Sequence, residues 1–326
     1  MVSTVLLITL GIIFILLIVI IFRYYAWKNG LLATLKDGIV AETKLGKIEY
    51  KLAGKGPTIL VLHGGPGGYD QGFLLEYLIK QGYSILAPSR TGYLGTPFNP
   101  LSYEEQADLC VALMDSLNIE KVVVVGASAG GPVALFLANK YPERVNGLIM
   151  EAGVASEYST EGMLDGWARL FFMRGLDDLT GWLTAVFMKI SFAASFKAVL
   201  KLETLYEESE LDDFVKLVSN DEVRKKWVRD LTNTTLPLSH RKKGLIHDVR
   251  LMEKIDIIPV DQISFPTLLI YSRMDNDVKW HHAEYLTENI AHAELFEVHG
   301  GHFMWVGENK DEIQKKRIEF LNNLPI

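Results

Sequence analysis

One serine of this chain stands where a nucleophile can be built. Residues 121–138, KVVVVGASAGGPVALFLA, hold four consecutive valines, then GASAG centred on Ser128, then a helical pattern from about Pro132. A tight turn from strand to helix strains its central backbone and lifts that side chain clear of the sheet, and glycines two positions away avoid a clash. A glycine-rich turn with a helix-capping serine would use the same letters, but the strand–turn–helix context favours the nucleophile. The sequence predicts that Ser128 attacks a carbonyl carbon.

A serine hydroxyl needs a base that takes its proton, and the base needs an acid that orients it. The apolar run PTLLIYS is followed by RMDNDVKW, which holds Asp275 and Asp277. The run AELFEVHG holds His299 and is followed by GHFMW, which begins at Gly301 and holds His302. Both loops would leave the carboxyl edge of the sheet, where open α/β sheets place their sites. The sequence therefore predicts a serine–histidine–aspartate set, with two candidates for the acid and two for the base.

A glycine-rich loop offers the second half of such a site. Residues 62–68 read LHGGPGG, and adjacent glycines let a backbone approach a substrate oxygen closely. An oxyanion hole needs two aimed N–H groups, and we predict that they come from Gly65 and from Ala129, the residue after the nucleophile. A dinucleotide fingerprint fails, because the sixth position counted from Gly65 is Asp70. His63 is expected to fix the loop and not to carry out acid–base chemistry.

The remaining histidines and the cysteine give no metal pattern. His281, His282 and His292 are interpreted as surface residues of a helix, the first two pointing in different directions. There is no H-E-x-x-H and no Cys/His cluster in the sequence, so we predict no metal site and no cofactor. The single cysteine, Cys110, excludes an intramolecular disulfide and is interpreted as a structural thiol.

Composition limits the partners. The chain has 326 residues, 49% of them hydrophobic, and a formal net charge of −7 without a long basic run. This is enough for one large domain or two modest ones with a buried core. A nucleic-acid partner is not expected of an acidic chain without a basic patch. The oligomeric state is left open by the sequence.

The first segment is predicted to be a membrane anchor, within residues 1–30. Residues 5–22 carry no charge, and about 17–25 apolar residues suffice for a spanning helix. A cleaved signal peptide has basic residues before its apolar stretch and small residues at the cleavage site after it. Residues 1–4 include no basic side chain, and the residues directly after Phe22 are bulky. The aromatic residues that would mark a membrane interface follow directly: Tyr24, Tyr25 and Trp27. Basic residues after the span place the catalytic domain in the cytoplasm by the positive-inside rule: Arg23, Lys28 and Lys36.

The rest of the chain alternates between apolar runs and helical patterns, which predicts a mainly parallel sheet covered by helices on both faces. Ser102 and Glu105 form a capping-box start for one of these helices. The rhythm stops near Val154 and resumes near residue 261. We therefore predict an α/β core of residues 38–154 and 261–326, interrupted by a helical insertion at 155–260.

The glycine loop, the serine elbow and the two late loops together resemble the α/β-hydrolase fold superfamily, over roughly residues 38–324. The HGGPGG stretch is similar to that of the proline iminopeptidase group within it. The resemblance implies a cap at 155–260 and the chain order serine, aspartate, histidine. It places the acid three residues after a small residue that ends the strand, which selects Asp275 from Ser272. It makes the final Gly-His of the last loop the base, which selects His302.

The chain also departs from these relatives. They often have Asp-x-Arg-Gly-x-Gly-x-Ser after the fourth strand, where this chain has SRTGYLGTP with Ser89 in place of the aspartate. An aminopeptidase of the iminopeptidase type would need acidic residues that hold a free amino terminus. The candidates in this sequence are Glu151, Glu157 and Glu161, and a solvent-facing role is the expected one for them.

The sequence thus predicts a membrane-anchored serine hydrolase that cleaves an ester through an acyl-enzyme without a cofactor. Its partner would be a small acyl ester or amide, and an aromatic cap next to a membrane suggests a hydrophobic, lipid-like acyl group. The alternatives are an aminopeptidase and a non-catalytic binding protein of the same fold. The cap aromatics that motivate the acyl prediction are Trp167, Phe171, Phe172, Trp182 and Phe187.

Overall fold

The structure is a computed structural model that describes residues 2–161 and 176–325. Its centre is an eight-stranded sheet in the order β1-β2-β4-β3-β5-β6-β7-β8. β1 and β2 run antiparallel to their neighbours, and every pairing from β4 to β8 is parallel. The strands are β1 (Ile39–Thr43), β2 (Gly46–Gly54), β3 (Thr58–Leu62), β4 (Ser84–Pro88), β5 (Val122–Ala127), β6 (Val145–Glu151), β7 (Thr267–Tyr271) and β8 (Ala293–Glu297).

Helices cover both faces of this sheet, as the alternating pattern predicted. Val61 and Val125 face a cavity beneath the 3₁₀ helix Phe73–Gln81 and the last helix. The next residue of β5, Gly126, faces the other way, where an added Cβ would lie 2.6 Å from Cβ of Ala134. The helical segments of the core are Tyr69–Gly72, Phe73–Gln81, Tyr103–Ser116, Gly131–Lys140, His281–Asn289 and Lys310–Asn322, with 3₁₀ turns at Ser128–Gly130, Pro142–Arg144 and Gly301–Val306.

Local signals explain why several of these elements form where they do. The four valines of β5 are buried, because a strand covered on both faces needs no polar side. The helix Tyr103–Ser116 begins with the predicted capping box, in which the Ser102 hydroxyl accepts from the Glu105 N–H and the Glu105 carboxylate accepts from the Ser102 N–H. The segment Phe73–Gln81, which ends at Gly82 in a left-handed conformation, is a 3₁₀ helix.

The part of the segment between β6 and β7 that the structure describes is mainly helical. Its described elements are the helices Asp177–Ile190, Phe192–Glu203, Glu208–Ser219, Glu222–Asn233 and Lys242–Met252, with a 3₁₀ turn at Leu238–His240. Most of these helices share a separate apolar core that includes Phe196, Leu200 and Phe214. The sheet domain contributes Val306, and Phe303 packs against the same cluster. This helical cap is therefore packed directly onto the loop that follows β8.

The N-terminal helix, Val2–Thr34, extends beyond the predicted anchor at 1–30 and joins the cap. Its apolar window is fully exposed in the monomer, and its length and hydropathy are sufficient for a membrane span. Near its C-terminal end, the Lys28 ammonium lies 2.6 Å from the Asp178 carboxylate of the cap. The rings of Tyr24 and Trp182 meet edge to face, with centroids 6.0 Å apart. The helix is thus held against the cap by an ion pair and an aromatic contact.

The ion pair yields a first prediction. Asp178 is 1% exposed and otherwise accepts only from the backbone and hydroxyl of Ser239 among its described contacts, so Lys28→Met leaves a buried carboxylate short of its cation. We expect the free energy of unfolding in detergent to fall by about 1–3 kcal/mol, the usual cost of an unsatisfied buried polar group. The control is Lys47→Met, which removes a solvent-exposed pair with Glu42 and should leave the thermal midpoint nearly unchanged. Equal thermal midpoints of the two variants would show that the Lys28 contact does not hold the N-terminal helix to the cap.

Candidate active site

Ser128 lies at the turn that the sequence predicted. β5 ends at Ala127, a 3₁₀ turn spans Ser128–Gly130, and the following helix begins at Gly131 with Pro132 in its first turn. Ser128 has a φ of +47°, a left-handed conformation that non-glycine residues rarely adopt. An added Cβ on Gly130 would lie 2.3 Å from the Leu62 carbonyl oxygen, so this position has no room for a side chain. The strain and the glycine requirement both follow from the sharpness of the turn.

The predicted acid and base are in contact. His302 Nδ1 lies 2.9 Å from Asp275 Oδ2, and Asp275 is buried. The other oxygen of that carboxylate accepts the N–H groups of Asp277 and Val278, at 2.8 and 2.9 Å. A carboxylate fixed in this way can orient the imidazole and select its tautomer. The other candidate base, His299, is exposed, and its backbone N–H donates to Asn309 Oδ1 at 3.0 Å.

Asp277 occupies a position that the sequence did not indicate. Its Oδ2 lies 3.4 Å from His302 Nε2, the nitrogen opposite the one that contacts Asp275. The Tyr158 hydroxyl donates to the other oxygen of Asp277. Glu203, at the end of a cap helix, completes a group in which one ligand-type atom each from Glu203, Asp277 and His302 lies within 4.8 Å of the others. The imidazole ring is therefore placed between carboxylates on both of its nitrogen sides.

This arrangement changes the acid–base properties of the ring. Burial disfavours the charged imidazolium, but Asp275, Asp277 and Glu203 outweigh it and raise the pKa of His302 to about 10. Burial also raises the pKa of Glu203 to about 7; His302 opposes this shift, and Asp277 adds to it. At neutral pH the imidazole of the free protein is therefore protonated, and it must lose that proton before it can act as a base.

The glycine loop is fixed by polar contacts that leave Gly65 facing the serine turn. His63 Nε2 accepts from the Arg90 N–H at 3.0 Å, so its Nδ1 carries the proton and donates to the Gly64 carbonyl at 2.6 Å. The Gly64 N–H donates to Gln71 Oε1 at 2.7 Å and is not available to a substrate. An added Cβ on Gly65 would lie 3.5 Å from Cβ of Ala129, so the two predicted oxyanion donors belong to adjacent backbones.

Burial and the nearby Arg90 guanidinium lower the pKa of His63 well below its ordinary value. This ring is neutral and acts as a structural link between the loop and β4, in agreement with the expected fixing role. Arg90 in turn forms a bidentate pair with Asp248 of the cap, with both N–O distances at 2.6 Å. Ser89 stands where the resemblance implies an aspartate. Its hydroxyl donates to Glu49 Oε2 at 2.7 Å and accepts from the backbone N–H of Tyr69 at 3.0 Å. A buried network thus replaces the aspartate that relatives often carry.

Hydrogen bonds also join the cap to the acid and base loops. The Leu205 N–H donates to the Met274 carbonyl at 2.9 Å, next to Asp275. The Gly300 N–H donates to the Tyr206 hydroxyl at 2.8 Å, two residues before His302. The cap therefore contacts the two loops that carry the predicted acid and base.

A cavity adjoins the site on one face of the sheet. It reaches Ala127, the residue before the nucleophile, and Trp305, whose ring centroid lies 6.0 Å from that of His302. Trp227 of the cap stacks on Trp305 with centroids 5.7 Å apart. The rest of the lining is mixed. It has an apolar part that includes Leu74, Leu75, Leu231 and Ile313, and a polar part with His63, Gln71, Glu151, Lys310, Gln314 and Arg317.

Two residues that motivated the acyl prediction do not line this cavity. Trp182 packs on Tyr24 of the N-terminal helix, and Phe187 is exposed. Trp167, Phe171 and Phe172 lie outside the described residues. The aromatic lining among the described residues comes instead from Tyr77, Trp227 and Trp305. Helical spacing alone showed that the cap was aromatic, but only the packing shows which rings face the site.

The other histidine and glutamate predictions can be compared with the structure. His282 is fully buried and not a surface residue: its Nδ1 accepts from the backbone N–H groups of Ala155 and Ser156, at 3.2 Å each. The rings of His281 and His282 lie 4.1 Å apart and do not diverge. His281 and His292 are exposed as predicted, but His292 lies in the turn before β8 and not in a helix.

Glu151 is likewise buried and not solvent-facing. It pairs with the Arg317 guanidinium, whose Nη2 lies 2.7 Å from Oε2, and it accepts from the Trp305 indole N–H at 2.6 Å. Both carboxylate oxygens are therefore occupied by the protein. Glu157 and Glu161 are exposed, as expected. This set does not form a cluster that could hold a substrate amine.

With the fold and site described, the chain can be placed among known proteins. It belongs to the alpha/beta hydrolase fold family, whose profile matches residues 57–307. It is 30% identical to an uncharacterized hydrolase, YcgS, of Bacillus subtilis, over 85% of this chain and 96% of YcgS. It is 26% identical to the 2-hydroxy-6-oxononadienedioate/2-hydroxy-6-oxononatrienedioate hydrolase of Comamonas testosteroni, over 85% of this chain and 92% of that protein.

A solved structure supports the same placement. The alpha/beta hydrolase fold protein of Nakamurella multipartita superposes with a TM-score of 0.77 at 27% identity, over 87% of this chain and 98% of that chain. The predicted α/β-hydrolase fold is confirmed, and the chain is an α/β-fold hydrolase. The roles of the individual site residues stay predictions.

The carboxylates around His302 predict an alkaline pH profile. A general base must be neutral, so kcat/KM should rise with pH toward a midpoint near the His302 pKa of about 10. Asp277→Asn removes a charge that favours the imidazolium and should move the midpoint to lower pH. The measurement is kcat/KM against pH for both proteins on one soluble ester. A wild-type profile that is already flat at neutral pH, or an unchanged midpoint in the variant, would contradict the effect of Asp277.

The contact at Nδ1 predicts which carboxylate is the acid of the catalytic set. Asp275→Asn should lower kcat on the order of 10⁴-fold with the fold intact, because the imidazole loses its charge partner and its tautomer. The matched control, Asp277→Asn, should change kcat by less than about tenfold when each protein is assayed at its own optimum. The reverse ranking would make Asp277 the acid.

Proposed function

We propose that this chain is a serine hydrolase that cleaves a carboxylic ester through an acyl-enzyme. The observation that carries the proposal is the contact of His302 Nδ1 with the buried Asp275 carboxylate, in a chain whose Ser128 is held at a strained turn. A protein that only binds a ligand has no need of an oriented histidine, a strained serine and a glycine loop together. A non-catalytic role is therefore the less favoured reading.

The proposed reaction assigns one role to each of these groups. Ser128 Oγ attacks the ester carbonyl carbon while His302 Nε2 takes the hydroxyl proton, and the N–H groups of Gly65 and Ala129 bind the resulting oxyanion. When the tetrahedral intermediate collapses, the imidazolium gives its proton to the leaving alcohol and the acyl-enzyme forms. Water then attacks the acyl carbon, with His302 again as the base, and releases the acid and the free serine. No step requires a cofactor.

An ester is favoured over a peptide amino terminus by the pairing of Glu151, although Glu203 and Asp277 bring two further carboxylates to His302. Glu151 is paired with Arg317, so the first candidate for an amine-binding group is already neutralised. The cavity next to Ser128 has an apolar part that would take a hydrocarbon acyl group. The similarity of the glycine loop to the iminopeptidase group concerns the oxyanion side of the site, and aminopeptidase activity stays the alternative.

The location and domain plan belong to the same proposal. The helix Val2–Thr34 would span a membrane once, and the basic residues after its apolar part would keep the catalytic domain in the cytoplasm. The core would consist of residues 38–154 and 261–326, with a cap at 155–260. A substrate that partitions into the bilayer, such as a lipid-like ester, would be concentrated near this enzyme.

The test is covalent labelling of the nucleophile. A fluorophosphonate probe should label the wild type at alkaline pH, where His302 is neutral, and should not label Ser128→Ala. Ser116→Ala removes an exposed hydroxyl at the end of a core helix and should be labelled like the wild type. Labelling that persists in Ser128→Ala would move the nucleophile elsewhere, and an unlabelled wild type would favour the binding-protein reading. Turnover of acyl esters compared with aminoacyl amides then separates the two enzymatic readings.

A further inference from the structure

The first described helix of the cap, Asp177–Ile190, presents three different faces. One face points to the cap core, where Met188 is buried in the shared apolar cluster and Gly181 lies against Leu236. A second face meets the N-terminal helix through Asp178 and Trp182. A third face carries an apolar stripe that is largely exposed: Leu183, Phe187 and Ile190, at 41%, 59% and 75%.

The spacing of the stripe is helical and its direction is defined. Steps of four and three residues put Leu183, Phe187 and Ile190 on one side of a helix that turns by about 100° per residue. By the same rotation, the stripe lies roughly opposite the side that holds Gly181 and Met188. The stripe therefore points away from the cap core, and the face that meets the N-terminal helix lies between the two.

The contact with the N-terminal helix sets the height of the beginning of this cap helix above the proposed membrane. Tyr24 and Lys28 follow the last residue of the uncharged segment, Phe22, by two and six positions. At a rise of about 1.5 Å per residue this places them about 3 and 9 Å beyond the hydrocarbon layer. The headgroup layer is about 5–8 Å thick on each side of a bilayer. Trp182 is thus held within the headgroup layer and Asp178 just beyond it, and the stripe follows Trp182 directly in the same helix.

We propose that the stripe Leu183, Phe187 and Ile190 of the cap is inserted into the surface of the same bilayer that the N-terminal helix spans. The proposal rests on the membrane anchoring proposed above. A surface helix of this kind buries its apolar face about 5–10 Å into the boundary between headgroups and acyl chains. Insertion would remove these three apolar side chains from water, which is favourable for exposed hydrocarbon.

With this insertion, the cap itself has a surface that contacts lipid. The helix Glu222–Asn233 behind it turns Trp227 and Leu231 to the cavity next to Ser128. Another side of the same helix, with Arg229 and Thr232, faces the groove between the cap and the N-terminal helix. One helix therefore separates the substrate cavity from the membrane-proximal side of the cap. A substrate dissolved in the bilayer would approach the site from that side.

The experiment places a fluorophore on the stripe of the full-length protein in vesicles. Phe187→Cys is labelled with the environment-sensitive dye NBD; burial raises the pKa of Cys110 to about 12, so the native thiol does not compete at neutral pH. The matched control is Ile257→Cys, because Ile257 is 62% exposed and lies outside the stripe. Vesicles contain phosphatidylcholine with phosphatidylglycerol, and quenching is measured with brominated lipid and with aqueous iodide.

The dye at position 187 should shift to the blue, be quenched by brominated lipid and be protected from iodide by more than about twofold relative to position 257. Equal iodide quenching at the two positions, in protein that resists carbonate extraction, would overturn the inference while leaving the anchor intact. Extraction of the protein by carbonate would overturn both the anchor and the inference. Fluorophosphonate labelling of Ser128 in the same vesicles reports the proposed activity separately, so its failure is distinguishable from either result.

Discussion

The arrangement of the site depends on one close backbone contact, between the serine turn and the end of β3. Gly130 lies so near the Leu62 carbonyl that a side chain at this position would overlap with it. The turn and the glycine loop that follows Leu62 are therefore in direct contact, and an added Cβ on Gly64 would lie 3.2 Å from Cβ of Ser128. Because Gly65 and Ala129 belong to the two sides of this contact, their separation is set by backbone packing and not by flexible side chains. Electrostatic stabilisation of an oxyanion requires donors that are fixed before the reaction, and this contact provides that rigidity.

The parts of the structure that the sequence predicted are those with a local signal. The buried strands, the Ser128 turn, the capping box at Ser102 and the loops that carry Asp275 and His302 each have a pattern confined to a few neighbouring residues. The first strand, Ile39–Thr43, was not predicted, because it is a mostly exposed edge strand without a buried run. Short exposed strands depend on pairing with a neighbour more than on their own residues.

The wrong predictions of residue positions have a different cause. His282 and Glu151 were assigned to the surface from their polarity, but each is buried with partners that lie more than a hundred residues away in the chain. The position of Asp277 next to His302 Nε2 is of the same kind, because it depends on how two loops from different strands meet. Trp182 and Phe187 are aromatic residues of the kind that often line a pocket. In the structure, however, Trp182 packs on the N-terminal helix and Phe187 faces outward. Sequence spacing predicts which residues share a face, whereas tertiary packing decides what that face contacts.

The hydrogen bonds that join the cap to the acid and base loops limit how the cap can move. A cap that swings away as a rigid body would break the contacts at Leu205 and Tyr206 and would disturb the loops on either side of the imidazole. Smaller rearrangements, confined to side chains such as Asp277 and Tyr158, would release His302 Nε2 without that disturbance. The ring between carboxylates and the attached cap are therefore parts of one arrangement. Under the proposed mechanism, substrate entry and deprotonation of His302 would involve the same contacts.

The continuity of the N-terminal helix has a consequence for diffusion. A catalytic domain on a flexible tether rotates freely and meets substrate from every direction. Here the helix runs without a break from its apolar part to Thr34 and is paired with the cap through Lys28. Under the proposed anchoring, the domain loses its tumbling freedom and keeps only lateral movement and rotation about the membrane normal. Encounter with a bilayer-dissolved ester then becomes a search in two dimensions, in which the surface density of the substrate, and not its aqueous concentration, sets the rate.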